Sequence, residues 1–137
     1  DKTMSDAAKI LIVDDDVDFV ESTKDLLEAH NFEVKYAYDG KEGVKKAKAE
    51  TPDLMLLDVM MATKTEGFEV AREIAADEQL KSMPVIMLTG IRKDMKLNYG
   101  FEPDEDWLPV TEFLEKPVEP AKLIATVEKL LKQAEQQ

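Results

Sequence analysis

The chain has 137 residues, which is enough for one domain with a substantial core. Its 30 acidic residues outnumber 18 lysines and arginines, and the resulting formal charge of −12 disfavours binding to nucleic acid or to an anionic membrane. Aliphatic and methionine runs are too short for a membrane span, the absence of cysteine excludes disulfides and thiolate metal sites, and the start lacks a secretory signal, so we expect a cytoplasmic protein.

The pattern of apolar residues predicts strands that alternate with helices. The runs at 10–13, 54–57 and 85–88 contain no polar residue, so they indicate strands covered on both faces, as in parallel sheets. In chain order, the predicted elements are a strand at 9–13, a helix at 17–30, a strand at 32–38, a helix at 43–50, a strand at 54–57, a helix from 68, a strand at 85–88, a helix at 91–98, a strand at 111–115 and a helix from 120.

This alternation predicts an α/β fold, a doubly wound five-stranded parallel sheet with helices on both faces. The 32–38 segment alternates with period two, which is typical of an edge strand, and Asp39 with Gly40 predicts a turn after it. The inner face of the helix after 67 is assigned to Phe68, Ala71, Ile74 and Ala75. We expect a disordered N-terminal segment at 1–8, one domain at 9–132 and a polar tail at 133–137.

Polar side chains follow four of the predicted strands. Asp14 and Asp15 follow the first strand, Asp58 the third, Thr89 the fourth and Lys116 the fifth. Ligands of open α/β sheets bind at the carboxyl ends of the strands, so these side chains are expected on one rim. Clustered carboxylates need a cation between them, and oxygen ligands suit Mg²⁺. A magnesium ion, an ammonium and a hydroxyl would orient a phosphoryl group for attack by the central Asp58.

Each of these residues also has an ordinary structural use. The aspartates could cap a helix, Thr89 could be a β-branched strand end and Lys116 a solvated charge. Their joint position at successive strand ends favours the phosphoacceptor site.

Four ordered motifs carry a family resemblance. They are ILIVDDD at 10–16, LDVMM at 57–61, VIMLTG at 85–90 and FLEKP at 113–117. Together they resemble the receiver, or CheY-like, domain of two-component response regulators, from about Lys9 to Leu131. The resemblance implies a flavodoxin-like fold with strand order 2-1-3-4-5.

The resemblance also implies a phosphorelay function. A histidine kinase or histidine phosphotransfer protein would donate a phosphoryl group to Asp58. Mg²⁺ would be held by Asp15, Asp58 and the backbone carbonyl of Met60, and Asp14 would act largely through water. The protein would be a signalling switch rather than a conventional enzyme, either monomeric or dimeric on phosphorylation, with an unknown output partner.

The same resemblance implies roles for residues of the fourth and fifth predicted strands and their ends. Thr89 and Lys116 would contact the phosphoryl oxygens. Phe113 would be the switching aromatic, which rotates inward as Thr89 moves. The bond between Lys116 and Pro117 is expected to be cis.

The chain departs from the family pattern in two segments. The loop after Asp58 lacks the usual proline and is one residue longer than expected. The segment at 98–109 is also longer than the pattern, and its Tyr99, Phe101 and Trp107 could either form a docking surface or cover the core edge.

Two positions that tune dephosphorylation in the family, Met60 and Ile91, are apolar. Neither side chain can orient a hydrolytic water, so we expect slow loss of phosphate.

Three competing interpretations remain open. A metal-dependent phosphatase on a similar fold commonly has a second acid two residues after the nucleophile, where this chain has Met60. A pseudo-receiver would lack site residues that are all present here. The chain is interpreted as a stand-alone receiver, with a receiver excised from a longer regulator as the alternative.

Overall fold

The computed structural model describes residues 7–59, 66–90 and 112–135. Within these ranges five parallel strands form one sheet in the order β2-β1-β3-β4-β5, which confirms the predicted fold class and strand order. The elements are β1 (Lys9–Val13), α1 (Val17–Ala29), β2 (Glu33–Ala37), α2 (Gly40–Glu50), β3 (Leu54–Asp58), α3 (Glu66–Ala76), β4 (Val85–Thr89), β5 (Glu112–Glu115) and α4 (Pro120–Glu135). None of these helices is long and apolar enough to cross a membrane.

The three apolar runs form the central strands, and the sheet is covered on both faces. Every residue of β3 and β4 is buried. Alternate residues of a strand point to opposite faces. Thus Leu11, Met55 and Met87 belong to a core with α2 and α3, while neighbouring residues such as Ile12 and Leu56 belong to a second core with α1 and α4. The runs therefore supply apolar side chains to two cores at once, as expected for buried parallel strands.

The edge position of β2 is confirmed, but the strict alternation of its burial is not. Val34 and Ala37 are buried, whereas Tyr36 and Tyr38 are more than a third exposed. Tyr36 and Tyr38 lie beside the polar residues Glu21 and Asp25 of α1. An edge strand has a neighbour on one side only, and α1 leaves these two rings partly exposed.

The chain bends at Tyr38 and Asp39, next to the predicted turn, but the predicted start of α2 is wrong, because Asp39 is the N-cap of this helix. Its carboxylate accepts a hydrogen bond from the backbone N–H of Glu42 at 2.8 Å. The helix therefore begins at Gly40, three residues before the predicted start at 43. An Asp-Gly pair suits a turn or a helix start equally well, and here the capping bond decides.

The predicted inner face of α3 is partly wrong. Ala71 and Ile74 are buried as expected, but Gly67 and Val70 complete the buried face, and Phe68 is only partly buried. The helix begins at Glu66, so its buried face is turned by about one position from the predicted one.

The last helix begins with Pro120 in its first turn, as predicted, and it buries Leu123, Ile124, Val127 and Leu130. It continues to Glu135, so the segment predicted as a polar tail is helical at 133–135. The predicted helix at 91–98 and the aromatic residues Tyr99, Phe101 and Trp107 lie outside the described residues, as do Thr111 and Met60.

Candidate functional site

Three aspartates meet where β1 and β3 end side by side. Asp14 follows β1, and Asp58 is the last residue of β3. Oxygen atoms of Asp14, Asp15 and Asp58 all lie within 4.8 Å of one another. Asp14 is fully buried, Asp58 is 6% exposed and Asp15 is exposed to solvent. The structure therefore brings the predicted carboxylates together, in a place where their mutual repulsion needs compensation.

Asp14 receives that compensation from two donors. Its Oδ1 atom accepts a hydrogen bond from the backbone N–H of Asp16 at 2.9 Å, and its Oδ2 atom accepts one from Lys116 Nζ at 2.7 Å. Its own backbone N–H donates to the carbonyl of Ala37 at 3.1 Å. A buried charge is tolerable when it is paired and hydrogen-bonded in this way. Asp14 is thus a fixed anion at the base of the site.

Asp58 faces the same ammonium at a greater distance. Lys116 Nζ lies 3.8 Å from Asp58 Oδ1, which is within ion-pair range. The strand end is held by the backbone N–H of Val59, which donates to the carbonyl of Leu88 at 2.9 Å. Asp58 therefore has a fixed backbone and a carboxylate beside a positive charge.

Position 67 must be glycine because it packs against the backbone of Asp58. This requirement was not predicted from the sequence. A Cβ atom at this position would lie under 3.0 Å from the carbonyl oxygens of both Asp58 and Val59. The N–H of Gly67 also donates to the carbonyl of Val59 at 3.1 Å. The start of α3 thus packs directly on the end of β3, and only glycine leaves room for that approach.

Thr89 and Lys116 lie at the ends of neighbouring strands. The backbone N–H of Lys116 donates to the carbonyl of Thr89 at 2.7 Å, and the bond between Lys116 and Pro117 is cis, as predicted. Thr89 is 7% exposed, and its Oγ1 atom donates to the carbonyl of Leu114 at 3.5 Å, the outer limit of a hydrogen bond. The hydroxyl is therefore weakly held.

Phe113 is partly buried and packs against the core beneath α2 and α3. It lines the same surface cavity as Thr89, together with Pro117 and Lys122. The predicted pair of Thr89 and Phe113 is therefore close together. Met60, predicted to offer a backbone carbonyl to the metal, lies outside the described residues.

Phe19 is a second residue that sequence analysis missed. Its ring lies over the ammonium of Lys116, with Nζ 4.4 Å from the ring centroid. The ring belongs to the first turn of α1, where the backbone N–H of Phe19 donates to the Asp16 carboxylate at 3.1 Å. A phenylalanine three residues after a capping aspartate is the signal that could have been noted.

The carboxylates suit a hard divalent cation. The oxygens of the three carboxylates lie close together, all donors are oxygen, and a site with few direct protein ligands leaves positions for the waters that Mg²⁺ retains. The exposed Asp15 gives the ion a route from solvent. The residues that would hold Mg²⁺ are thus Asp15 and Asp58, with Asp14 beneath them.

Comparison with known proteins gives a consistent family match. Residues 10–128 match the model of the response regulator receiver domain. Protein PilH of Pseudomonas aeruginosa is 33% identical over 127 residues, which cover 90% of this chain and 98% of PilH. The alkaline phosphatase synthesis transcriptional regulatory protein PhoP of Bacillus subtilis is 35% identical over 127 residues, which cover 93% of this chain and 50% of PhoP. The chain thus spans about half the length of several curated relatives and nearly all of PilH.

Solved structures show the same similarity. A CheY-like response regulator receiver domain protein from Methanospirillum hungatei superposes with a TM-score of 0.78 and 28% identity, covering 95% of this chain and 98% of that chain. A response regulator from Chloroflexus aurantiacus gives a TM-score of 0.78 and 28% identity, covering 92% of this chain and 98% of that chain.

Proposed function

Because the chain belongs to the response regulator receiver family and is a phosphoacceptor signalling domain, we propose that Asp58 is the residue that accepts the phosphoryl group. The observation that carries this proposal is the cluster of Asp14, Asp15 and Asp58 with the ammonium of Lys116 among them. Of the three carboxylates, only Asp58 ends the central strand, and its Oδ1 atom lies 3.8 Å from the Lys116 ammonium, which can neutralise charge on a transferring phosphoryl group. It is therefore the best placed of the three to act as the nucleophile.

The proposed reaction is transfer from a phosphohistidine of a histidine kinase or a phosphotransfer protein. A carboxylate oxygen of Asp58 attacks phosphorus, the phosphorus–nitrogen bond breaks, and its electron pair leaves with the imidazole, which takes up a proton. Asp58 becomes an aspartyl phosphate. Bound Mg²⁺, held by Asp15 and Asp58 and by the carbonyl of Met60, would supply neutralisation of the charge on the phosphoryl oxygens. Asp14 would act on the ion through water.

Lys116 is proposed to contact the phosphoryl oxygens. Its ammonium already lies between Asp14 and Asp58, 2.7 Å from one and 3.8 Å from the other. New negative charge on Asp58 would draw the ammonium towards that residue. Lys116 would then neutralise the product as well as the transferring group.

Thr89 and Phe113 are proposed to convert phosphorylation into a change of partner binding. The Thr89 hydroxyl makes a long hydrogen bond to Leu114, so it loses little when it turns to a phosphoryl oxygen. That turn would vacate space beside Phe113, which lines the same cavity. Phosphate would thus bias an existing equilibrium between two arrangements of these side chains.

The aspartyl phosphate is proposed to be long-lived. Met60 and Ile91, two residues after Asp58 and Thr89, have apolar side chains that cannot orient a hydrolytic water. The protein would promote its own Mg²⁺-dependent phosphorylation and would lose phosphate slowly. We place the reaction in the cytoplasm, where ATP is available to a kinase. The active form is proposed to be a monomer or a phosphorylation-dependent dimer.

The test is phosphorylation of the purified protein by acetyl phosphate, followed by intact mass measurement. With Mg²⁺, the wild type and the control Asp25→Asn, which changes an exposed aspartate of α1, should each gain one phosphoryl group. Asp58→Asn should gain none, and chelation of Mg²⁺ should prevent the gain in all three. Uptake by Asp58→Asn equal to that of the wild type would refute the assignment.

A further inference from the structure

We propose that Phe19 is a positioning residue for phosphoryl transfer, whose ring holds the Lys116 ammonium at the phosphoacceptor. This inference rests on the function proposed above. Lys116 Nζ lies 4.4 Å from the centroid of the Phe19 ring, 2.7 Å from Asp14 Oδ2 and 3.8 Å from Asp58 Oδ1. An ammonium over an aromatic face is attracted by the negative potential of the ring. The ammonium is thus held by two carboxylates and a ring.

The position of Phe19 is itself tied to the site by a closed set of contacts. Asp14 Oδ1 accepts a hydrogen bond from the backbone N–H of Asp16 at 2.9 Å. Asp16 Oδ1 accepts one from the backbone N–H of Phe19 at 3.1 Å. The Phe19 ring contacts Lys116, and Lys116 donates to Asp14 Oδ2. The third aspartate of the DDD run therefore sets the ring over the lysine by capping α1.

The Phe19 ring can restrict the Lys116 ammonium in a way that a charged neighbour could not. Lysine has a flexible four-carbon chain, and fixing its end costs side-chain entropy. The ring restricts the ammonium without accepting a conventional hydrogen bond, so N–H groups remain available for phosphoryl oxygens. It also shields the ammonium from water, in keeping with the 21% exposure of the Lys116 side chain, and reduced hydration strengthens its attraction to transferring charge.

Phe19 also packs against the core formed with α1 and α4, so a purely structural role must be separated from positioning. Phe32 provides the matched control. It is partly buried against the same core, but it precedes β2, at the end of the sheet opposite the phosphoacceptor. Phe32→Leu removes the same atoms as Phe19→Leu without touching Lys116.

The experiment replaces Phe19 with 3,5-difluorophenylalanine and 3,4,5-trifluorophenylalanine, which keep the shape of the ring while weakening its negative face. The initial rate of phosphorylation by acetyl phosphate with Mg²⁺ should fall stepwise along the series, by about three- to tenfold for the trifluoro ring and for Phe19→Leu. The fluorinated rings keep the packing of Phe19, so the midpoint of urea unfolding should fall only by the small amount that a weaker contact with Lys116 accounts for. Phe32→Leu should phosphorylate at the wild-type rate even where it lowers stability.

A second measurement needs no phosphodonor. The Lys116 ε-methylene protons should resonate upfield in the wild type because of the ring current, and Phe19→Leu should remove that shift. If the wild type lacks this shift, the Phe19 ring does not contact Lys116 and the inference is overturned. A full shift with equal phosphorylation rates across the fluorinated series, or an equal loss of rate in Phe32→Leu, would overturn positioning while leaving the proposed function intact. A wild type that takes up no phosphate would refute the proposed function and this inference with it.

Discussion

Lys116 follows β5 and donates a hydrogen bond at 2.7 Å to the fully buried carboxylate of Asp14, which follows β1, although β3 and β4 lie between these two strands. The same ammonium is 3.8 Å from Asp58. Asp14 thus keeps the Lys116 ammonium beside the Asp58 carboxylate. Lys116 also compensates the buried charge of Asp14. Removal of the ammonium should therefore lower the stability of the protein as well as its rate of phosphorylation.

Lys116→Met should lower the free energy of unfolding by about 3 kcal/mol at pH 7, because it leaves a buried carboxylate without its ion-pair partner. Urea denaturation measures this loss. The double variant Asp14→Asn with Lys116→Met should recover much of it, since the uncompensated charge is then absent. A Lys116→Met protein as stable as the wild type would contradict the idea that the lysine compensates Asp14.

Asp15→Asn should separate metal binding from folding. Asp15 is exposed, so without Mg²⁺ the variant should be as stable as the wild type or slightly more stable, by less than about 1 kcal/mol, because repulsion in the cluster is reduced. At Mg²⁺ concentrations about a hundredfold above its Kd, the wild type should gain about 2.7 kcal/mol. Asp15→Asn should lose most of that gain. An equal gain in both proteins in a thermal unfolding series would exclude Asp15 as a ligand.

Gly67→Ala should be destabilising, although alanine is normally the better helix former by up to about 1 kcal/mol. The added methyl group would lie under 3.0 Å from the carbonyl oxygens of Asp58 and Val59. Moving α3 away from the end of β3 should cost about 2 kcal/mol and should slow phosphorylation of Asp58, because the displaced backbone carries the nucleophile. Urea denaturation and the acetyl phosphate assay test this; a more stable, fully active variant would show that the contact is not restrictive.

The ion pair of Lys9 with Glu50 should contribute a pH-dependent part of the stability. Lys9 Nζ lies 3.0 Å from Glu50 Oε1 and also donates to the Glu50 carbonyl at 3.2 Å. The hydrogen bond lowers the pKa of Glu50 below 4.5 and raises the pKa of Lys9 above 10.5. Both charged forms therefore favour the folded state.

Glu50→Gln should be less stable than the wild type at neutral pH. The difference should shrink as the pH falls from 4.5 through the lowered pKa of Glu50, and again as the pH rises from 10.5 through the raised pKa of Lys9. Thermal unfolding of both proteins across this range provides the measurement. A constant difference at every pH would mean that the pair contributes through packing alone.

The sheet and its acidic rim were predictable because the signals are local. A run such as 54–57 has no polar residue to turn outward, and its short length after Pro52 favours a strand buried on both faces over a helix, which places Asp58 at the end of the strand. The start of α2 was missed because Asp39 and Gly40 suit two conformations, and only the bond to Glu42 distinguishes them.

The contacts that refine the site were not predictable, since they join residues far apart in sequence. Phe19 and Lys116 meet because α1 and the end of β5 converge at the same rim; the capping Asp16 indicates where Phe19 lies in its helix but does not indicate its partner. Gly67 meets Asp58 for a similar reason, because α3 starts against the end of β3.

Borohydride reduction followed by peptide mapping is the most direct test of whether Asp58 forms the acyl phosphate. After incubation with acetyl phosphate and Mg²⁺, an aspartyl phosphate is reduced to homoserine, whereas an unmodified carboxylate is left unchanged. We expect homoserine at position 58 and aspartate at positions 14 and 15. Homoserine at either of those positions, with aspartate retained at 58, would contradict this assignment.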